Sequence, residues 1–342
     1  MSAPLLRVRD LVVEFDGPGG PGENGETGDK VRAVDGASFD IAEGGTLGLV
    51  GESGCGKSLT ALALLAMAPP GGRIAAGSVE LRGRDLLRLS GPELQKIRGA
   101  ELALVFQEPA SALNPVYPVG AQIGEVLRLH RGADRKTARR DAISLLERVG
   151  IAEPARRADA WPHELSGGMK QRVCIAMALA CKPALLIADE PTTALDVTIQ
   201  AQLLDLLADL RRSDGLAILL ISHDLGVVGE LCDEVAVMYA GRIVESGPAT
   251  RLLDRPRHPY ARGLLRSRPR LDAPPPADGR LPAIPGQVPD LRQRPPGCAF
   301  HPRCPIARPD CRAQVPPLVA IASAGGVDHR LACPVSSEDD GA

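Results

Sequence analysis

Eight residues, Gly51-Glu-Ser-Gly-Cys-Gly-Lys-Ser58, constrain the fold of this 342-residue chain more than any other stretch. The spacing G-x4-G-K-S works only between a strand and a helix. Thr46 to Val50 is a short apolar run that reads as a buried strand, and Leu59 to Ala68, rich in Leu and Ala, reads as a helix. A loop held between them lets successive backbone N–H groups curl round phosphate oxygens at a helix N-terminus. Gly51, Glu52, Ser53, Gly54, Cys55, Gly56, Lys57 and Ser58 are therefore the candidate nucleotide ligands. Lys57 is expected to reach the β- and γ-phosphates, and the Ser58 hydroxyl to hold Mg²⁺. Cys55 reads as a small filler within the loop.

Carboxylates for the other side of a nucleotide site follow later. Ala184 to Ala188 is apolar and runs into Asp189-Glu190. A buried parallel strand ending in two carboxylates is costly unless they have work to do. Asp189 is expected to support Mg²⁺ and Glu190 to polarise an attacking water. Gln107 follows the apolar run Leu102 to Phe106, and His223 follows Ala217 to Ile221. Both read as strand ends from which a side chain can touch Mg²⁺, the water or a γ-phosphate. Ser166-Gly167-Gly168 precedes an Ala/Leu/Met-rich helical stretch, Met169 to Cys181, closed by Pro183. Exposed N–H groups there and the helix dipole make an anion site.

These motifs, in this order, resemble the ATP-binding-cassette (ABC) ATPase subunits. That family carries a phosphate loop, a Q-loop glutamine, an LSGGQ signature, a strand-end Asp-Glu, a D-loop and a switch histidine. The matching positions are Gly51–Ser58, Gln107, Leu165–Met169, Asp189–Glu190, Ala194-Leu195-Asp196 and His223. Met169 stands where the family most usually has Gln. The resemblance implies a P-loop α/β fold with a helical subdomain, here about residues 108–164, and catalytic roles for Glu190, His223 and Gln107. It also implies a head-to-tail dimer, because one phosphate loop and one signature are present and the signature completes the opposite subunit's site. Phe15, just before the glycine-rich stretch Gly17 to Asp29, is a candidate to stack on adenine; a core position is as good a reading.

Longer segments narrow the resemblance to the dipeptide and oligopeptide importers, which share motifs with nickel importers. They are Val105-Phe-Gln-Glu-Pro-Ala-Ser-Ala-Leu-Asn-Pro115, His163-Glu-Leu-Ser-Gly-Gly-Met-Lys-Gln-Arg172 and Arg257-His-Pro-Tyr-Ala-Arg-Gly-Leu-Leu265. The implied partners are a second, different ATPase subunit, two transmembrane permeases and an extracytoplasmic solute-binding protein. The leading reading is an ATPase subunit that powers import of di- or oligopeptides, and the first alternative is the same role for nickel or another small solute. A soluble ABC ATPase of translation or DNA repair is the more distant alternative, since those carry two cassettes or a coiled-coil insertion. A redox-sensing regulator acting through the tail is another.

Composition agrees. Lys and Arg number 40 against 42 Asp and Glu, so no basic field points to nucleic acid. No apolar run reaches the ~18 residues of a membrane span, and the N-terminal MSAPLLRVRDL does not read as a signal peptide. The expected location is the cytoplasmic face of the cell membrane, reached through partners. Residues 1–250 are expected to form the ATPase domain, and 251–342 a proline-rich C-terminal extension.

That extension carries Cys298, Cys304, Cys311 and Cys333 in a C-x5-C-x6-C-x21-C pattern. Stable disulfides are disfavoured in a reducing compartment, and four thiols in a core-poor module suggest a metal centre. The spacing alone leaves iron–sulfur, zinc and unbound thiols level. The stretch CAFHPRCP, Cys298 to Pro305, is similar to tails of peptide-importer ATPase subunits that bind a 4Fe-4S cluster, and this resemblance favours the cluster over Zn²⁺. His301 and His329 are candidate alternative ligands, with bystanders the preferred reading.

Overall fold

The computed structural model describes residues 3–16, 30–193, 196–267, 282–321 and 329–335. The glycine-rich stretch 17–29 and the D-loop residues Ala194 and Leu195 lie outside the described residues. The chain forms two compact units: one from the described parts of residues 1–6, 41–46 and 81–221, the other from those of 7–40, 47–80 and 222–342.

The first unit is built on three parallel strands, Leu102–Val105, Leu185–Asp189 and Ala217–Ser222. Leu102 pairs with Leu185 and Val105 with Ala188, while Asp189 pairs with Ile221 on the other side. Their sequences LALV, LLIAD and AILLIS do not alternate, as expected of strands covered on both faces. Helices Val119–Arg131 and Arg135–Arg148 pack on each other and on helix Gly167–Leu179. The Asp134 carboxylate starts the second of these by accepting the Thr137 N–H at 2.7 Å. The segment expected to be mostly helical is so, from Pro109–Ala112 to the short 3-10 turn at Pro162–Glu164.

The second unit holds a sheet in which Leu6–Asp16 lies between Lys30–Ile41 and Gly72–Leu81. It also holds the strand before the phosphate loop, Thr46–Val50, which pairs in parallel with Glu234–Tyr239. A Cβ on Gly48 would come within 2.2 Å of Val228, so this strand packs against helix Leu225–Leu231 only as glycine there. Glu234–Tyr239 turns back as Arg242–Pro248, and the C-terminal extension continues the sheet: His329–Leu331 pairs antiparallel with Arg242–Pro248, and Val319–Ile321 with His329–Leu331. Two short strands of the extension thus form an edge of this sheet.

One boundary differs from the sequence expectation. The helix after the phosphate loop spans Lys57–Leu64, two residues earlier at its start and four earlier at its end than the Leu/Ala-rich run. Gly56 serves as its N-cap, and Ala66 turns left-handed at φ +53°, which ends it before Pro69.

Candidate active site

The buried strand Thr46–Val50 delivers the chain into the phosphate loop. Two glycines there answer to close backbone approach. A Cβ on Gly51 would lie 2.3 Å from the Met238 carbonyl oxygen, and one on Gly56, at φ +110°, 2.7 Å from that of Ala33. Lys57 is buried and folds back over the loop, donating from Nζ to the carbonyls of Gly51 at 2.8 Å and Glu52 at 3.1 Å. Ser53, Gly54 and Ser58 are exposed. Cys55 is fully buried, and burial raises its thiol pKa, so it stays protonated. Its carbonyl accepts the Gly241 N–H at 2.8 Å, which ties the loop to the turn after Glu234–Tyr239. Phe15 is half-buried, its ring against Gly72, and the stretch that follows it lies outside the described residues. His223 is exposed; beyond it, Asp224 caps helix Leu225–Leu231 by accepting the Gly226 N–H at 2.7 Å.

Those residues belong to the second unit; Gln107, Asp189, Glu190 and the signature belong to the first. Parallel pairing brings Gln107 and Glu190 together, and the Gln107 amide donates to Glu190 Oε2 at 3.1 Å. Thr193 Oγ1 donates to the same oxygen at 3.0 Å. Sequence reasoning missed Thr193; its signal is the turn spacing after Pro191, where the Thr193 N–H bonds the Glu190 carbonyl. Glu190 adopts φ +46°, rare for a side-chain-bearing residue, and its N–H donates to the Ile221 carbonyl at 2.9 Å. Asp189, one residue earlier, is buried.

The signature lies at a helix start. Ser166 caps Gly167–Leu179, its hydroxyl accepting the Met169 N–H at 3.3 Å. Space around Gly167 is open, whereas a Cβ on Gly168 would meet Ile199 at 2.9 Å. Ser166, Gly167 and Gly168 line a surface cavity of about 560 Å³ with Arg157, Arg172 and Asp196. Cationic side chains and exposed N–H groups suit it to an anion.

The four tail cysteines, spread over 36 positions of sequence, line one small cavity with Phe300 and Pro316. The Cys298 N–H donates to the Cys311 carbonyl at 2.8 Å. Burial, then the neighbouring thiols, push the Cys298 pKa up to about 11, while the Phe300 N–H acts against that rise. Burial likewise raises Cys304, opposed by the Ile306 N–H. Among the described residues no group of three or more His, Cys, Asp or Glu side chains is close enough to hold a single metal ion. The alternative ligand His329 is turned away, its Nε2 2.8 Å from Glu245 Oε1, and His301 Nδ1 lies 2.9 Å from its own turn's Cys298 carbonyl.

Comparison with known proteins decides the family. The ABC transporter family model matches residues 34–193, and the C-terminal region of oligopeptide/dipeptide transporters matches residues 244–311. A putative peptide import ATP-binding protein of Brucella melitensis is 49% identical over 333 residues, covering 97% of this chain and 95% of that one. The dipeptide transport ATP-binding protein DppD of Escherichia coli is 47% identical over 318 residues, covering 93% and 94%. The chain belongs to the ATP-binding proteins of the dipeptide/oligopeptide import ABC transporters. Among solved structures, a dimeric ATP-binding cassette in a post-hydrolysis state with ADP and phosphate superimposes with TM-score 0.62 at 26% identity, covering 71% of this chain and 98% of that one. The ABC ATPase fold and the coupling of ATP hydrolysis to transport follow from this membership. No helix among the described residues of this ABC ATPase is long and apolar enough to cross a membrane.

Proposed function

We propose that this chain powers import of di- or oligopeptides, working at the cytoplasmic face of the membrane with two permease subunits, a second and different ATPase subunit and an extracytoplasmic solute-binding protein. The observation that carries the reading is the near end-to-end similarity to peptide-import and dipeptide-transport ATP-binding proteins, extending through the C-terminal region. The two family matches, at 34–193 and 244–311, support a division into an ATPase domain (1–250) with a helical subdomain (about 108–164) and an extension (251–342).

In this reading Gly51–Ser58 cradles the triphosphate, with Lys57 on the β- and γ-phosphates. Ser58, Gln107 and Asp189 hold Mg²⁺, and Phe15 faces the adenine. Glu190, oriented by Gln107 and Thr193, polarises the attacking water with help from His223. Ser166, Gly167 and Gly168 serve the partner subunit's γ-phosphate. Peptide-stimulated ATPase activity of the complex reconstituted with its permeases and binding protein is the test. Stimulation by nickel or another solute, with none by peptides, would overturn the substrate.

Cys298, Cys304, Cys311 and Cys333 are proposed to hold a 4Fe-4S cluster. Four cysteines lining one cavity supply the number of thiols that a centre with one cysteine per iron takes. The N–H groups of Phe300 and Ile306, directed at Cys298 and Cys304, favour the thiolates such a centre requires. The group supplies a covalent staple for a segment with little core of its own. Anaerobically purified protein should be brown with about four irons per chain; colourless protein with one zinc would overturn the assignment.

A further inference from the structure

The second residue of the phosphate loop, Glu52, is held at two points by the C-terminal extension. Its backbone N–H donates to the Tyr260 hydroxyl at 2.8 Å. Its carboxylate takes a two-pronged bond from Arg303, Nη1 to Oε2 at 2.7 Å and Nη2 to Oε1 at 3.0 Å. The Arg303 side chain is 5% exposed, so its charge needs this partner. Its Nε donates to the Pro285 carbonyl at 2.8 Å, which fixes the guanidinium plane. Tyr260 is fully buried against Tyr239 and Phe300, ring centroids 4.6 and 5.4 Å away. Phe300 and Arg303 both lie between Cys298 and Cys304. The carbonyl of the same Glu52 residue accepts from Lys57 Nζ at 3.1 Å and from the Cys55 N–H at 3.3 Å. The Gly51–Glu52 peptide, whose carbonyl accepts from Lys57 at 2.8 Å, is therefore anchored through its N–H, and Glu52 through its side chain, to a segment more than 200 positions away.

We propose that Tyr260 and Arg303 are positioning residues for the phosphate loop, so that the C-terminal extension sets this chain's affinity for ATP. The loop's own glycines give it the freedom to wrap a phosphate, and the same freedom has an entropic cost on binding. Clamping Glu52 removes part of that cost before nucleotide arrives. Both residues act through Glu52, which each of them bonds. The inference rests on Gly51–Ser58 being the triphosphate cradle, and Lys57→Ala separates the two.

The experiment measures the Kd of a fluorescent ATP analogue for the full-length chain, and KM and kcat for ATP in the assembled transporter. Tyr260→Phe removes only the hydroxyl and keeps the aromatic packing; a rise in Kd and KM of about threefold to tenfold is expected. Arg303→Gln should raise both by about tenfold or more, and Arg303→Lys should recover part of the loss. With ATP saturating, kcat should stay within about twofold, the split that separates loop positioning from general damage. Glu52→Gln combined with Arg303→Gln should be no worse than Arg303→Gln alone, since both remove one bond. Should Arg303→Gln fail to fold, Tyr260→Phe still decides. Tyr260→Phe with wild-type Kd and KM, or with reduced kcat and unchanged Kd, overturns the proposal while Lys57→Ala still abolishes binding. ATP binding undiminished in Lys57→Ala overturns the cradle assignment itself.

Discussion

Gln107 and Glu190, 83 positions apart in sequence, are joined by a 3.1 Å hydrogen bond because Val105 and Ala188 pair in neighbouring parallel strands. Thr193 shares the same Glu190 oxygen. The carboxylate is therefore oriented by two donors. Glu190→Gln should keep ATP binding and lose at least about 100-fold in turnover, the scale of a lost general base. Gln107→Ala and Thr193→Val should each cause a smaller loss by freeing the carboxylate. Steady-state phosphate release by the assembled transporter measures this; near-normal turnover of Glu190→Gln would remove Glu190 from the chemistry.

Ser166 caps a helix and lines the signature cavity, and substitution can separate the cap from the proposed anion role. Its hydroxyl caps the helix Gly167–Leu179, a role Asn can also fill. Ser166→Arg should destabilise the chain by about 1 kcal/mol through the lost cap and place a bulky cation at the anion-binding cavity. It should leave nucleotide affinity at its own phosphate loop unchanged and impair the site completed on the partner. Ser166→Asn should spare stability. Thermal unfolding together with nucleotide occupancy at each of the two sites would distinguish these effects; loss of binding at the chain's own loop would contradict the trans arrangement.

Metal loading of the tail should depend on pH in a fixed direction. Burial first, and then the neighbouring thiols, push Cys298 up to about 11, and burial raises Cys304. Both are neutral near pH 7, whereas a metal takes the thiolate, so each binding event releases protons. Iron incorporation on anaerobic reconstitution should therefore be tighter at pH 8.5 than at pH 6.5. Cys304→Ser should abolish the visible absorption at both. Equal loading of Cys304→Ser and wild type would exclude that cysteine as a ligand.

His258 gives the extension an acid sensitivity. Its buried ring accepts the Tyr260 N–H at Nδ1, and burial, aided by Arg262, lowers its pKa to about 3. The unfolded chain takes up a proton near pH 6.5, which the folded chain refuses until about pH 3. Stability from this group is complete above pH 6.5 and is lost as pH falls toward 3. Between pH 7 and pH 5 the expected loss is about 2 kcal/mol. His258→Asn keeps a side-chain acceptor and should show that much less decline in urea unfolding. An identical decline in both proteins would rule out His258 as the source.

Local patterns made the strands, loop and helix of the candidate site legible. The run LLIAD announces a buried strand and its carboxylates, and G-x4-G-K-S announces both the loop and the helix behind it. The order of motifs carried the family. The end of the first helix was not legible, because Leu65 to Ala68 continue the apolar composition and only the left-handed turn at Ala66 stops it. Thr193 was hidden for a different reason: a hydroxyl three residues after a carboxylate gains meaning only when the backbone turns. The extension was the least legible part. Its proline content suggested a core-poor module, and no pattern showed that His329–Leu331 pairs at a sheet edge or that Glu245, wholly buried, bonds the N–H groups of Arg257 and His258 as well as His329. Three distant sequence segments meet at that one carboxylate, and no local pattern records such a meeting.

The Glu52–Arg303 bond spans 251 positions. On a ribosome, the phosphate loop emerges long before the residue that holds it. A nascent chain can therefore complete its Walker motif, strand and helix while the loop's outer anchor has yet to be synthesised. The smallest fragment that contains every nucleotide motif, ending soon after His223, is shorter than the smallest fragment that contains the mechanical support of its first motif. A genetic truncation that spares all the signature sequences would still cut the tether of the phosphate loop.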